Sequence, residues 1–329
     1  MATTMARPRG IRLPGSLSVA QLVGILAGAA LLVVILATDL RQALVIGLIN
    51  GAMYGLVALG LVLIYKSSGI FNFAQGEFGT VAIYVLWLLL ERNIPYVISV
   101  VLALVAAVVL GVGTERFIIR PLYSSPRVIL LVATAGVALL CLGLEFWIGG
   151  PLLRTVSPAL GRTDRLSIFG ILVSDQRMLL VLVLVGFGLA LAWFFNRTSF
   201  GLALLGVAQE PTATELVGIS TKRLAAFTWG IAALLGGLAG ILNAPISGTF
   251  GPGFMTLSVL IPAFTAAILG GMTSLPGAFL GGAAIGVAES IALKASVFSS
   301  IPAPDTFVVF IILLVVLVAR PQGILGKAS

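Results

Sequence analysis

Residues 69–80 read GIFNFAQGEFGT, and they interrupt one of the longest apolar regions of the chain. Within this stretch Asn72, Gln75 and Glu77 alternate with three phenylalanines and three glycines. A polar group in an apolar region is either satisfied by another part of the protein or used in a function. The stretch therefore predicts a break in an otherwise helical segment, with glycines that permit the break.

The composition of the 329-residue chain places it in a membrane. Hydrophobic residues make up 60% of the sequence and charged residues only 9%, whereas soluble domains carry roughly 25% charged residues. The apolar runs are long and continuous, which indicates helices surrounded by lipid and not strands of a barrel. We therefore predict an all-α polytopic membrane protein. The net charge of +8 indicates basic cytoplasmic loops, and no nucleic acid partner is expected.

The apolar runs predict about 8–10 transmembrane helices in a single membrane domain that covers residues 1–329. The predicted spans are 18–38, 42–65, 77–90, 94–113, 127–148, 176–195, 223–243, 256–272, 276–294 and 304–319. Spans 77–90 and 256–272 are short for the roughly 20 residues of a straight membrane helix. We expect these two to be tilted, broken or re-entrant.

The basic residues predict the orientation of the chain. With the N-terminus in the cytoplasm, 12 of the 19 lysines and arginines lie on the cytoplasmic side and 7 on the external side, as the positive-inside rule favours. Residues 197–223 are then cytoplasmic. Residues 149–175 form an external loop, and their prolines and glycines indicate that this loop is structured.

Several glycines recur at a spacing of four residues, which brings them to one face of a helix. Gly47 and Gly51 are one such pair, and Gly282 and Gly286 are another. Small residues at this spacing let helix backbones approach closely in lipid. They indicate helix packing within the subunit, and the alternative is an interface between two subunits.

The residues that most enzymes need are missing or scattered. The chain has no histidine and one cysteine, and its acids in or near spans, Glu77, Glu145 and Glu289, are far apart in sequence. The terminal GILGKAS lacks the spacing of a phosphate-binding loop, because Pro321 stands where its first glycine belongs. We therefore expect no catalytic residues, no metal site and no cofactor, and a pore or transporter remains.

The most polar internal segment covers residues 197–223 and has basic residues at both ends. Within it, Pro211 suits the first position of a short helix and Gly218 suits its C-terminal cap. Glu210, Glu215 and Leu216 would lie on or beside this helix. The segment is either a docking element for a partner on the cytoplasmic face or an ordinary solvated loop.

Four blocks of sequence resemble the permease subunits of branched-chain amino acid ABC importers, of the LivH type. They are NGAMYGLVALGLVLIYKSSGIFNFAQGEFGTVAIY at 50–84, the run from RTSFGLALLG to LAGIL at 197–242, AAILGGMTSLPGAFLGGAAIGVAES at 266–290 and RPQGILG at 320–326. The resemblance implies the ABC importer permease fold, in the bacterial plasma (inner) membrane, and it places residues 197–223 at the coupling loop.

The resemblance also implies partners. These are a second permease of the related LivM type, two ATPases that bind the ATP, and an extracytoplasmic solute-binding protein. The implied function is import of branched-chain or other amino acids. Alternatives are a relative that carries urea, short amides or another small solute, or a carrier or channel that works without an ATPase. One residue departs from the family, which usually has histidine where this chain has Gln75.

Under this interpretation Asn72 and Gln75 line the substrate path or brace the helix break. Glu77 caps the helix that follows, because a carboxylate is favourable at the positive end of a helix dipole. The alternative is that all three are structural residues at a cytoplasmic turn.

Overall fold

The computed structural model describes residues 40–160, 166–168, 170–199, 220–294, 300–320 and 322–326, with residues 201, 203, 204, 206 and 214 between them. The first predicted span lies outside these residues. So do Glu210, Pro211, Glu215, Leu216 and Gly218, the residues that the sequence suggested for coupling to an ATPase.

Helices account for most of the described residues. They are α1 (Arg41–Ser68), α2 (Gln75–Glu91), α3 (Tyr96–Gly113), α4 (Arg127–Gly149), α5 (Asp175–Arg197), α6 (Thr221–Ser247), α7 (Ile261–Gly270), α8 (Leu275–Lys294) and α9 (Pro304–Ala319). Helix α3 continues through a π-helical turn, Thr114–Ile119, and a short 3₁₀ turn, Arg120–Leu122, and α7 is preceded by a π-helical turn, Thr256–Leu260. Every predicted span from residue 42 onward matches a helix whose ends agree within four residues, provided that the π-helical lead is counted with α7.

Six of the described helices are long and apolar enough to cross a membrane, which confirms the all-α polytopic fold. The helices begin and end where local chemistry favours it. Pro95 and Pro126 directly precede α3 and α4, and the Ser220 hydroxyl accepts a hydrogen bond from the Arg223 N–H at the start of α6. Helix α4 ends at Gly150, whose φ of 67° favours glycine.

Helices α1 and α6 form the interior of the domain. In their most apolar windows 83% and 72% of the residues are buried, against 28% in α3 and α4 and 22% in α5. A helix that is apolar on all sides is stable only where every side meets protein or lipid. Helices α3, α4 and α5 therefore present most of their apolar side chains outward, where lipid or another subunit covers them.

The four-residue glycine spacing serves packing within the subunit. A Cβ on Gly51 would lie 2.7 Å from Ala283 Cα, and one on Gly282 would lie 2.6 Å from Gly55 N. These distances are shorter than real Cβ contacts, so only glycine lets α1 and α8 approach this closely. Gly240 of α6 packs in the same way on the backbone of Gly79 in α2.

The loop that follows α4 carries regular structure, as its composition suggested. Strands β1 (Leu166–Ile168) and β2 (Ile171–Val173) form an antiparallel hairpin. Arg154 pairs through its backbone with Phe250, and its guanidinium lies 4.7 Å from the ring centre of Trp87. The loop is thus attached to α2 and to the segment that follows α6.

We predict that Gly282→Ala lowers the thermal midpoint of the detergent-solubilised protein, because the added methyl group would overlap the backbone of α1. Overpacking of this kind costs about 1–3 kcal/mol. Gly143→Ala is the matched control, since a Cβ at Gly143 meets no atom within 4 Å. Equal thermal midpoints for the two variants would contradict the close α1–α8 contact.

Candidate translocation site

The break at residues 69–74 lies deep among the helices. The Gln75 side-chain amide donates a hydrogen bond of 2.8 Å to the carbonyl oxygen of Ala232, which lies near the middle of the 27-residue α6. Helix α2 begins there with Gln75. Its 17 residues rise roughly 26 Å, less than the roughly 30 Å hydrocarbon core of a bilayer. The break therefore packs within the interior of the domain, against the middle of α6.

Side chains satisfy the backbone groups that the break leaves open. The Asn72 carbonyl oxygen accepts from the Ala74 N–H at 3.0 Å, and the Asn72 amide donates to the Gln75 carbonyl oxygen at 3.4 Å. The Phe73 N–H donates to the Thr134 hydroxyl of α4 at 3.3 Å. Asn72 and Gln75 are 1% and 0% exposed, so in this structure they brace the break.

A second break meets the first from the opposite direction. Residues 248–255 leave the end of α6, and Gly253 has a φ of 71°. The Met255 N–H donates to the Thr80 hydroxyl at 3.1 Å. A Cβ on Gly76 would lie 2.8 Å from Thr256 Cα. The first turns of two short helices, α2 and the π-helical lead of α7, therefore lie side by side.

This junction confirms that the two short predicted spans are interrupted helices. Broken helices that begin in the middle of a membrane domain turn the positive ends of their dipoles toward the interior. Such ends are where transporters commonly hold a solute or a compensating charge. The junction is accordingly the candidate site that the sequence motif indicated.

Two acids lie at the junction. Glu77 is the third residue of α2 and is 2% exposed, so its carboxyl group lies in the first turn, where the helix dipole favours an acid. Its capping role stays a prediction. Its carboxyl group also contacts that of Glu145 from α4. Glu145 Oε2 accepts from the Gly253 N–H at 2.8 Å.

Among the residues that the structure describes, neither carboxyl group has a lysine or arginine nitrogen within 4.0 Å. Glu77 Oε2 and Glu145 Oε1 are shielded from solvent and have no hydrogen-bond donor there. Two carboxylates in contact in an apolar interior repel each other unless a proton lies between them. Sequence reasoning missed this pair because Glu145 is separated from the motif by helix α3.

A family model described as the permease component of branched-chain amino acid transport systems matches residues 43–319. The chain belongs to this family. It is 35% identical to the high-affinity branched-chain amino acid transport permease BraD of Pseudomonas aeruginosa, over 87% of this chain and 95% of BraD. It is 31% identical to LivH of Escherichia coli K12, over 85% of this chain and 94% of LivH.

A probable LivH permease of Methanocaldococcus jannaschii is 29% identical over 90% of this chain and 96% of its own length. Among solved structures, PsaBC from Streptococcus pneumoniae in complex with Fab aligns with a TM-score of 0.47 and 12% identity, over 84% of this chain and 91% of the other. The family match and the six apolar helices identify a multi-pass membrane permease.

The permease also has a polar cluster where α3 ends and α6 begins. Arg120 bonds both carboxylate oxygens of the fully buried Glu115, at 2.6 and 3.1 Å, and the carbonyl oxygen of Lys222 at 3.1 Å. Tyr123 donates to Glu115 at 3.2 Å, and burial raises the pKa of Tyr123 to about 12, so its hydroxyl remains a donor at neutral pH. A bidentate Arg–carboxylate pair fixes orientation as well as distance. The cluster therefore holds the start of α6, where segment 197–223 leads into that helix, against the end of α3.

We predict that Glu145→Ala lowers the stability of the purified permease by about 1–3 kcal/mol, because the buried Gly253 N–H loses its acceptor. Glu145→Gln keeps an acceptor for Gly253 and adds a donor toward Glu77, so it should stay close to the wild type. Thermal unfolding in detergent measures both.

The control is Glu91→Ala, which removes an exposed carboxylate at the other end of α2. If Glu145→Ala and Glu91→Ala unfolded at the same temperature, the predicted structural role of Glu145 at the junction would be contradicted.

Proposed function

We propose that this permease forms the membrane path of an ATP-driven ABC importer for branched-chain or other amino acids. The observation that carries the proposal is the family match over residues 43–319, together with two interrupted helices that meet inside the domain. The function requires this chain to move solute and a partner to supply energy. A location in the bacterial plasma (inner) membrane is part of the proposal.

The proposed partners are a second permease of the LivM type, two ATPases and an extracytoplasmic solute-binding protein. The sequence offers no phosphate-binding loop, so ATP would be bound and hydrolysed by the separate subunits and the chain itself would be no enzyme. The outer sides of α3, α4 and α5 would leave room for a second permease, since the described part of the chain leaves most of their apolar residues uncovered.

Gln75, where the family usually has histidine, gives no reason to choose a different substrate. Its side chain is fully buried, and both ends of its amide bond to groups of this chain. A residue so engaged positions the helix break and does not face a solute. Urea, short amides or another small solute therefore remain a second choice behind amino acids.

The Glu77–Glu145 pair favours one further candidate, a carrier driven by protons without an ATPase. Paired buried carboxyl groups are the type of site that ion-coupled transporters use. We place it second, because a basic cytoplasmic segment such as 197–223 serves docking and has no role in an isolated carrier.

We expect the chain to copurify with an ATPase, and the complex with its own binding protein to take up labelled branched-chain amino acids into proteoliposomes only when ATP is supplied. A panel of other amino acids, urea and short amides defines the substrate class. Uptake driven by a pH gradient without ATP would favour the carrier, and uptake of urea or amides alone would overturn the amino acid assignment.

We also predict that Leu216→Arg leaves the permease inserted but reduces recovery of the ATPase in a pull-down. A buried interface residue contributes about 2 kcal/mol or more, and the new charge would have to be desolvated. Ser199→Arg is the matched control, because it adds the same charge to an exposed position in the same segment. Full ATPase recovery with Leu216→Arg would place the docking surface elsewhere, for example around Glu115 and Arg120.

A further inference from the structure

A cavity of about 380 Å³ lies among α1, α5, α6, α8, α9 and the π-helical lead of α7. Its volume is within the roughly 300–1,000 Å³ of small-molecule sites. Arg177 near the start of α5 and Asp305 near the start of α9 line it. In the orientation that the basic residues predict, both helix starts are on the external side, so the cavity belongs to the outer half of the domain.

Charges of both signs face this cavity without forming an ion pair. Arg177, Glu289 and Asp305 all line it. Among the described residues, however, Glu115 and Arg120 form the only ion pair whose charged atoms lie within 4.0 Å of each other. Arg177 Nε and Glu289 Oε2 are shielded from solvent and have no hydrogen-bond partner in the described part of the chain. Buried polar atoms normally have partners, and leaving them without one is costly.

The rest of the wall combines apolar and neutral polar groups. Met53, Ile246 and Leu257 contribute apolar surface, and the Tyr54 hydroxyl interacts with the Glu289 carboxyl group. A ligand with one anionic group, one cationic group and an apolar body would match all parts of this lining. A plain anion would face two carboxylates, and a neutral solute such as urea would leave all three charges uncompensated.

The cavity adjoins the junction of the interrupted helices. Asn243 lines the cavity, and its side-chain amide lies 3.9 Å from the sulfur of Met255. The N–H of Met255 is bonded to Thr80 in the second turn of α2. Leu257 and Ser258 of the π-helical lead of α7 line the cavity, so a solute held there would contact the start of one interrupted helix, as in binding sites of broken-helix transporters.

We propose that this cavity binds a free amino acid as a zwitterion during import. Arg177 binds its carboxylate, Glu289 and Asp305 bind its ammonium group, and the apolar wall receives its side chain. The inference rests on the proposed function, since it requires amino acids to be the solute. It adds the site within the permease and the residues that recognise the two charged groups.

The test measures binding to the purified complex without its binding protein, so that selection by the binding protein does not contribute. Labelled leucine should bind saturably at up to millimolar concentration. Leucinamide, which lacks the carboxylate, and 4-methylpentanoate, which lacks the ammonium group, should compete poorly. Absence of saturable leucine binding by the wild-type complex, or competition by either analogue as strong as that of unlabelled leucine, would overturn the proposal.

Substitutions of the charged residues test which group of the amino acid each one binds. Arg177→Met and Glu289→Gln should each weaken leucine binding at least about tenfold, the effect of losing one charged hydrogen-bonding partner. Arg177→Lys keeps the charge but loses the bidentate geometry, so we expect an intermediate loss. Arg177→Lys still tests the role of Arg177 if Arg177→Met does not fold. Arg92→Met and Glu91→Gln are the controls, because both are exposed residues outside the cavity.

Uptake by the complete complex separates this proposal from the proposed function. If the wild type takes up no amino acid, the proposed function fails and the cavity assignment fails with it. If the wild type takes up leucine and Arg177→Met and Glu289→Gln match their controls, the function stands and the cavity is not the site.

Discussion

Backbone groups inside a membrane domain have no water to bond, and the two interrupted helices of this permease depend on that constraint. A chain that stops being helical at residues 69–74 must provide hydrogen bonds for the exposed N–H and C=O groups from elsewhere in the protein. Asn72 and Thr134 supply them at the first break, and Thr80 and Glu145 supply them at the second. Neighbouring helices thus supply hydrogen bonds to each break. Thr134 of α4 bonds at the first break, and Thr80 of α2 and Glu145 of α4 bond at the second.

Close backbone approach makes this arrangement possible. Gly76 allows the lead of α7 to lie against the first turn of α2, and Gly240 allows α6 to lie against Gly79. Hydrophobic residues at these positions would separate the helices by a side-chain diameter, and the hydrogen bonds across the breaks would be too long to form. The abundance of glycine and the placement of polar residues in the motif are therefore parts of one structural requirement.

Function follows from the same arrangement. Because α2 and α7 start in the interior, one polar junction and one charged cavity lie within an otherwise apolar domain, linked through Met255 and Asn243. At the opposite end of α6, the Glu115–Arg120 pair holds the start of this helix through the Lys222 carbonyl oxygen. Helix α6 connects these two regions, because Asn243 near its other end lines the cavity.

The sequence by itself determined the membrane class, the helix boundaries, the two short spans and the family, because hydropathy and motif spacing are local properties of the chain. It also indicated that Asn72, Gln75 and Glu77 mark a break, and Glu77 lies in the first turn of the helix that follows. Only the tertiary structure decided that Glu77 meets Glu145 and that Arg177 shares a cavity with Glu289 and Asp305. These groups lie on different helices, and which helix faces meet depends on interhelical packing at small residues, which no local pattern specifies.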